Sequence, residues 1–215
     1  MIDAVVFDLD GVVVDSEQVW DDVREQLAKE RGGRWHEGAQ TAMMGMSSPE
    51  WSAYMHDEIG LRESPEEIND EVVRRLLERY RRSLPLIEGA VDAVRRLASS
   101  FTLGVASSSN RPVIDAVLAT AGIAALFEGT VSSEEVGHGK PAPDVYLEAA
   151  RRLGVPPERC AAVEDSSNGL RAAHAAGMRV LAFPNAHYAP ARDSLALADA
   201  VLGSLAELTP EVVRG

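Results

Sequence analysis

The sequence predicts an α/β fold in which a parallel sheet forms the core and a helical domain is inserted after the first strand. Short apolar runs bounded by turn residues predict strands at 2–7, 101–106, 160–163 and 178–183. Continuous apolar runs of this length are typical of parallel strands that are covered on both faces. Helical stretches lie between the strands, and this alternation favours a parallel sheet with right-handed crossovers.

Helices are predicted in the same part of the chain, at 89–99, 112–121, 143–153 and 168–176. Three of them are directly followed by a glycine: Gly122, Gly154 and Gly177. A glycine just past the last turn commonly adopts the left-handed conformation that ends a helix. These three glycines therefore mark the C-terminal ends of their helices.

A long segment, 16–82, interrupts the alternation because it contains no convincing strand. It divides into four helical pieces: 16–31, a short one around Gln40, and two that begin at Ser48 and Ser64. Ser64 is followed by a proline and by a glutamate three residues on, a pattern typical of a capped helix start. We therefore predict a core of residues 1–15 and 83–215 and a helical cap domain of residues 16–82. The alternative is that these helices simply cover the sheet.

Composition excludes several classes of protein. Acidic side chains outnumber basic ones by 34 to 21, for a net charge of −13, whereas nucleic-acid binding requires a basic face. Apolar stretches are too short to cross a bilayer, and the N-terminus lacks the basic region of a secretory signal. The single cysteine, Cys160, forms no internal disulfide. We expect a cytoplasmic protein that binds neither nucleic acid nor a membrane, as a monomer or a weak dimer.

The first predicted strand ends in Asp8-Leu9-Asp10-Gly11. The carboxylates of Asp8 and Asp10 project to the same side of an extended chain because they are two residues apart. Acids this close favour a bound cation, and carboxylate oxygens beside a phosphate suit Mg²⁺. One carboxylate can then attack phosphorus while the other transfers a proton to the leaving group. The alternative is an ordinary strand-to-turn junction, in which Asp-Gly is common.

The second predicted strand ends in a serine-rich loop that includes Ser107 and Ser108. The Ser107 hydroxyl and backbone N–H can contact a phosphoryl oxygen, and a helix that begins near Arg111 would strengthen anion binding through its N-terminus. We therefore predict a phosphate-binding loop at this position. The alternative is a plain loop that caps the following helix.

Lys140 lies in a Gly-Lys-Pro loop before a predicted helix. Of 21 basic residues only Lys29 and Lys140 are lysines. A lysine in a chain that otherwise uses arginine favours a compact point charge, which can hold a phosphate and the attacking carboxylate together. The alternative is chance placement. A nucleotide-binding P-loop is excluded because Pro141 occupies the position that requires serine or threonine.

The third predicted strand is followed by Glu164 and Asp165. Parallel strands place their carboxyl ends at one edge of a sheet, where ligands bind. One of the two acids is therefore predicted to complete a metal site with Asp8 and Asp10. The alternative is an ordinary helix start, since Glu-Asp-Ser is also typical of one.

Taken in this order, the four motifs resemble those of the haloacid dehalogenase superfamily. The resemblance spans the whole chain, implies a Rossmann-like parallel-sheet core, and makes the helical insertion similar to that family's C1-type cap. Three segments, FDLDGVVVDSE, GKPAPDVYLEAA and VEDSSNGLRAAHAAGM, are similar to the branch of β-phosphoglucomutases and sugar-phosphate phosphatases.

The resemblance implies a catalytic role for each motif. Asp8 would be the nucleophile that forms an aspartyl-phosphate. Asp10 would be the general acid, and afterwards the base that activates water. Ser107, Ser108 and Lys140 would hold the phosphoryl oxygens.

The resemblance also implies a magnesium cofactor. Mg²⁺ would bind Asp8, the backbone carbonyl of Asp10 and Asp165, with Glu164 nearby. The implied function is hydrolysis of a small phosphorylated metabolite, which would be the protein's partner in the cytoplasm.

Substrate selection is expected from the cap, since the core motifs contact little beyond the phosphate. The residues predicted to lie over the cleft are Ser16, Trp20, Gly45, Met46, Ser47 and Arg75. Apolar surface from Trp20 and Met46, together with serine hydroxyls, suits a sugar or polyol phosphate of modest size. For Arg75, one of several arginines in 74–82, the alternative is a solvated helix face.

Two departures from the mutase pattern favour hydrolysis. Where the mutases carry an arginine that grips a second phosphate, this chain has Ser48, and no basic residue lies between Gly38 and Trp51. Where they carry a histidine, this chain has Trp20. We therefore expect a phosphatase, with a β-phosphoglucomutase-type mutase as the alternative. A third hypothesis is a catalytically silent binding protein on the same scaffold.

Overall fold

The computed structural model describes residues 1–43, 46–185 and 189–215. Their strands form one parallel sheet in the order β3-β2-β1-β4-β5-β6. The strands are β1 (Ala4–Phe7), β2 (Thr102–Ser107), β3 (Gly129–Ser132), β4 (Cys160–Glu164), β5 (Arg179–Ala182) and β6 (Ala200–Val201).

Helices connect and flank these strands. Those after residue 82 are α5 (Ala90–Ala98), α6 (Arg111–Thr120), α7 (Asp144–Leu153), α8 (Ser167–Ala175), α9 (Arg192–Leu195) and α10 (Pro210–Arg214). Short 3₁₀ helices lie at Ala124–Leu126, Ser133–Glu135, Pro157–Arg159 and Leu205–Glu207.

Residues 16–82, which we call the inserted helical segment, contain no strand within their described part. Their helices are α1 (Glu17–Glu30), α2 (Ala39–Met43), α3 (Ser48–Asp57) and α4 (Pro65–Arg82). At the start of α4, Ser64 accepts a hydrogen bond from the backbone N–H of Glu67, while the Glu67 carboxylate accepts one from Ser64, as the capping-box pattern predicted.

The sheet carries a hydrophobic cluster on each face. Side chains alternate along a strand, so Val5 and Phe7 of β1 belong to one cluster and Ala4 and Val6 to the other. The first cluster continues from α5 and α6 into the inserted helical segment, and the second lies under α7 and α8. The core of the molecule therefore extends from the sheet into the helices above it.

The chain crosses between the sheet and the inserted helical segment twice, and the two crossings lie side by side. The backbone N–H of Asp15 donates to the carbonyl of Pro85 at 2.8 Å, and that of Ile87 donates to Val13 at 3.1 Å. These are the positions where the sequence predicts the boundaries. The division into two domains stays a prediction.

The predicted fold class is confirmed, and the four predicted strands are the four central ones, β1, β2, β4 and β5. Sequence reasoning missed the two edge strands because β3 is a four-residue Gly-Thr-Val-Ser run and β6 has only two residues. Short edge strands lack the apolar run that marks a buried strand. No helix in the described part of the chain is both long and apolar enough to cross a membrane.

Candidate active site

The carboxyl ends of β1, β2 and β4 meet at one edge of the sheet because β1 pairs with both of the others. Asp8 follows the last residue of β1, while Ser107 and Glu164 end β2 and β4. From β1 the chain continues to β2 on one side of the sheet, and from β4 it continues to β5 on the other side. Open α/β sheets bind ligands where the strand order reverses in this way. The topology therefore brings the first and last motifs, which lie more than 150 residues apart in sequence, to the same edge of the sheet.

Asp10 lies in a tight turn after β1 and accepts hydrogen bonds on both carboxylate oxygens. Oδ1 accepts from Ser16 Oγ at 2.5 Å and from Trp20 Nε1 at 3.3 Å. Oδ2 accepts from Ser109 Oγ at 2.6 Å and from Ser107 Oγ at 3.4 Å. Donors from both the sheet edge and the inserted helical segment therefore fix the orientation of this carboxylate.

Lys140 is buried and ion-paired with two carboxylates. Its Nζ lies 3.0 Å from Asp8 Oδ1 and donates to Glu164 Oε1 at 2.5 Å, and it lies 5.0 Å from the centre of the Tyr146 ring. Burial opposes the ammonium charge, but Asp8 and Glu164 outweigh it and raise the pKa of Lys140 above its ordinary value. Lys140 is therefore a fixed positive charge beside Asp8.

Glu164 is fully buried, and donors occupy both of its oxygens. Oε1 accepts from Lys140 and from the Tyr146 hydroxyl at 2.9 Å. Oε2 accepts from the backbone N–H of Asp165 at 3.0 Å and from the N–H and Oγ of Ser166, both at 3.1 Å. These bonds make Glu164 the anchor of Lys140 and of the turn into α8.

Two glycines let these acids approach the backbone. A Cβ on Gly169, in the first turn of α8, would overlap the Glu164 carboxylate. A Cβ on Gly11 would overlap the Asp165 carboxylate, and the φ of Gly11 is +77°. Only glycine combines the missing side chain with that left-handed backbone at no steric cost.

Three buried acids at this edge form a group that could hold a metal ion. Carboxylate oxygens of Asp8, Glu164 and Asp165 all lie within 4.8 Å of one another. Burial, followed by the charge of Glu164, raises the pKa of both Asp8 and Asp165 well above the usual value. A hard divalent cation fits this donor set, since it offsets the repulsion and prefers carboxylate oxygens.

A cleft lies above these acids, between the sheet edge and the inserted helical segment. The core lines it with Asp8, Asp10, Ser108, Ser109, Lys140, Asp165, Ser166 and Asn168. The inserted helical segment lines it with Glu17, Trp20, Arg24, Met43, Met46 and Trp51. The floor of the cleft is charged, whereas its roof is largely aromatic and apolar.

Several predicted residues lie behind the lining rather than in it. Ser107 is fully buried, and its Oγ accepts the backbone N–H of Ser109 at 2.9 Å. Ser16 is also fully buried and contacts Asp10. Ser47 caps α3 through Glu50 and faces Gly139 in the loop that carries Lys140; it is not among the lining residues, and its place over the cleft stays a prediction.

The predicted position of Arg75 over the cleft is wrong. Its guanidinium donates to Glu71 at 2.7 Å and to Glu30 at 2.6 Å, which ties α4 to α1 within the inserted helical segment. Glu71 of the same helix and Glu30 of α1 hold this side chain, which is half-buried and absent from the cleft lining. Gly45, also predicted over the cleft, lies outside the described residues.

Sequence reasoning missed several lining residues, of which Glu17 and Arg24 are the charged ones. Burial and the charge of Asp10 raise the pKa of Glu17 to about 7. Both residues lie on α1 on the same helical face as Trp20, at spacings of three and four. Because Trp20 was predicted to lie over the cleft, this spacing was the sequence signal that could have predicted Glu17 and Arg24 to lie there as well.

Fold and site together define an α/β enzyme with a carboxylate–lysine centre at the carboxyl edge of its sheet. The family model of haloacid dehalogenase-like hydrolases matches residues 2–177. Hexitol phosphatase B of Escherichia coli strain K12 is 32% identical over 216 residues, which covers 99% of this chain and 96% of that protein. The chain therefore belongs to the haloacid dehalogenase-like hydrolases and is an enzyme of the phosphatase type.

Solved structures show the same fold over the full chain. CbbY from Rhodobacter sphaeroides, in complex with phosphate, superposes with a TM-score of 0.88 at 27% identity and covers 100% of both chains. β-Phosphoglucomutase from Clostridium difficile superposes with a TM-score of 0.84 at 25% identity and covers 100% of this chain and 96% of that one. The predicted family and branch are confirmed.

The packing of Gly169 against Glu164 gives a testable expectation. Gly169→Ala would push a methyl group into a carboxylate held by five donors, so we expect a loss of about 1–3 kcal/mol in the free energy of unfolding. We also expect at least a tenfold loss of phosphatase activity, because Lys140 loses its anchor. Chemical denaturation and steady-state kinetics measure the two effects.

Gly177→Ala is the matched control, because Gly177 ends the same helix with a φ of +78° and a Cβ there meets nothing within 4 Å. We expect this variant to lose stability through backbone strain while it keeps its activity. Equal activity of the two variants would contradict the role given to the Gly169–Glu164 contact.

Proposed function

We propose that this protein is a Mg²⁺-dependent phosphatase that hydrolyses a small phosphorylated metabolite, a sugar or sugar-alcohol phosphate, through an aspartyl-phosphate. The observation that carries the proposal is the pairing of Asp8 with Lys140 at 3.0 Å on the floor of the cleft. An anionic nucleophile beside a fixed ammonium group suits attack on a phosphoryl group, since the lysine attracts the phosphoryl oxygens. The hexitol phosphatase relative supports a polyol or sugar leaving group.

Asp8 and Asp165, with the backbone carbonyl of Asp10, are the groups we assign to Mg²⁺. Asp165 lines the cleft, whereas donors occupy both oxygens of Glu164. Glu164 is therefore assigned to holding Lys140 rather than to direct coordination. When bound, Mg²⁺ supplies positive charge that keeps the carboxylates ionised and offsets the charge of the phosphate.

In the first chemical step, a carboxylate oxygen of Asp8 forms a bond to phosphorus as the ester P–O bond breaks. Asp10, in its protonated form, gives its proton to the departing oxygen. In the second step, water attacks phosphorus, Asp10 takes a proton from that water, and the bond from phosphorus to Asp8 breaks. Throughout, Ser108 and Lys140, which line the cleft, hold the phosphoryl oxygens, while Ser107 supports Asp10 from behind the lining.

The inserted helical segment is assigned the role of a cap domain that selects the leaving group. Trp20 is the link between this selection and the chemistry, because its Nε1 donates to Asp10 while its ring lines the cleft. Met43, Met46 and Trp51 extend the apolar roof. A roof of this kind favours a carbon chain or a sugar ring under it and excludes bulk water during transfer.

The nucleophile is tested by comparing two isosteric variants. We expect Asp8→Asn to lose at least about 10³-fold in Mg²⁺-dependent hydrolysis of p-nitrophenyl phosphate, because an amide cannot form the acyl phosphate. We expect Asp10→Asn to lose about 10²- to 10⁴-fold, the range of general acid–base catalysis. Only Asp10→Asn is expected to accumulate phosphorylated enzyme, which intact-mass spectrometry detects. A tenth of the activity left in Asp8→Asn would contradict the assignment.

The metal is tested by removal and replacement. We expect EDTA to abolish hydrolysis and excess Mg²⁺ to restore it, with Ca²⁺ a poor substitute because its larger and looser coordination shell misplaces the attacking oxygen. Asp165→Asn is expected to raise the Mg²⁺ concentration required for half-maximal activity. Full activity after dialysis against EDTA would rule out the magnesium requirement.

Hydrolysis is separated from mutase activity by the products. We expect phosphate release from a hexose, pentose or sugar-alcohol phosphate in a screen of phosphorylated metabolites, with no stimulation by glucose 1,6-bisphosphate. Ser48 lies in the place of the mutases' phosphate-gripping arginine, so the cap loop offers no grip for a bisphosphate intermediate. Interconversion of β-glucose 1-phosphate and glucose 6-phosphate without phosphate release would establish the mutase alternative.

A further inference from the structure

Arg24 is the basic residue that α1 contributes to the cleft. It is only 8% exposed and lines the cleft together with Trp20 and Trp51. Its guanidinium carbon lies 4.7 Å from the centre of each of these two rings. The rings meet edge to face, with centres 5.9 Å apart and planes at 63°, so they form a corner that holds the guanidinium.

Within the described part of the chain, the Nε donor of this guanidinium has no acceptor. Nε of Arg24 is buried without a hydrogen-bond partner, and in the described ranges no carboxylate lies within ion-pair distance of its nitrogens. Buried guanidinium donors are costly when unpaired. The aromatic corner therefore fixes the position of Arg24 but leaves its Nε donor for a ligand.

Three acidic residues face Arg24 without forming an ion pair with it. Glu17, Asp21 and Asp10 attract it from a distance, yet burial lowers the pKa of Arg24 to about 10, so the guanidinium stays charged at pH 7. Glu17 has a pKa near 7 and is itself only partly ionised there. A charged, buried arginine with an unpartnered Nε and no ion pair among the described residues suits an anion.

The position of Arg24 assigns it to the leaving group rather than to the transferred phosphoryl group. Lys140 is already paired with Asp8 and Glu164 on the floor. Trp20 lies between Arg24 and the chemistry, because its ring contacts the guanidinium and its Nε1 donates to Asp10, the group assigned to protonate the leaving oxygen.

We propose that Arg24 binds an oxyanion on the leaving group, and that the preferred substrates are phosphomonoesters with a second acidic group, either a carboxylate or a second phosphate. This inference rests on the proposed phosphatase function and narrows its substrate class, within small phosphorylated metabolites, to those whose sugar or polyol carries a second acidic group. A planar guanidinium matches both oxyanions with paired N–H donors.

Matched substrates test the proposal. Gluconate 6-phosphate and glucitol 6-phosphate differ only in a carboxylate against a hydroxymethyl group, and fructose 1,6-bisphosphate and fructose 6-phosphate differ by one phosphate. For at least one pair, we expect kcat/KM to favour the doubly acidic member by about 10- to 100-fold, as a charge-assisted hydrogen bond does. Preference within the first pair identifies a carboxylate, and within the second a phosphate.

Arg24→Gln is expected to bring the ratio of kcat/KM between the doubly acidic substrate and its matched partner close to one. Arg24→Lys is expected to give an intermediate ratio. Both substrates of a pair are measured on one preparation, so the fraction of folded enzyme cancels from the ratio. Lys29→Gln is the matched control, since it removes an exposed positive charge from the same helix and is expected to leave the ratio unchanged.

Two results would overturn the proposal while the proposed function stands. One is hydrolysis by the wild type with no preference for the doubly acidic member of either pair. The other is a preference that Arg24→Gln and Arg24→Lys both leave intact. In either case Arg24 is a structural cation between two tryptophans. Absence of hydrolysis of all four substrates and of p-nitrophenyl phosphate would instead contradict the phosphatase function itself.

Discussion

Three carboxylates crowd the carboxyl ends of β1 and β4, and the compensation of their charge shapes the rest of the site. Asp8, Glu164 and Asp165 lie within 4.8 Å of one another in a buried place, where like charges are tolerated only beside cations. Lys140 supplies part of that compensation and is itself fixed by two of the acids. The remaining negative charge is what makes a divalent cation fit at this strand junction.

The packing around these acids follows from the same constraint. Gly11 and Gly169 leave room for carboxylates that any side chain would displace. Tyr146 and the turn into α8 direct their donors at Glu164, so that this acid positions Lys140. The core therefore provides a rigid floor of fixed charge, which is the form of preorganisation that catalysis of charged transition states requires.

The inserted helical segment contributes a roof of a different chemistry. Its residues reach the reacting groups through Trp20 and Ser16, both of which donate to Asp10. The roof is thereby connected directly to Asp10, the residue proposed to transfer the proton. Glu17 and Arg24 are the charged residues of this roof, and the Nε of the buried Arg24 has no hydrogen-bond partner in the described part of the chain.

The sequence by itself determined the α/β class, the four central strands, the four inserted helices and the motifs at the strand ends. It did so because buried parallel strands are continuous apolar runs and helix ends carry local capping signals. The edge strands β3 and β6 were not predicted, because pairing with a neighbouring strand, rather than their own composition, defines them. Only the tertiary structure decided that Glu164 anchors Lys140, that Arg75 pairs with Glu30 and Glu71, and that Arg24 enters the cleft. Which side chains meet across separate helices depends on packing between elements, which local sequence spacing does not specify.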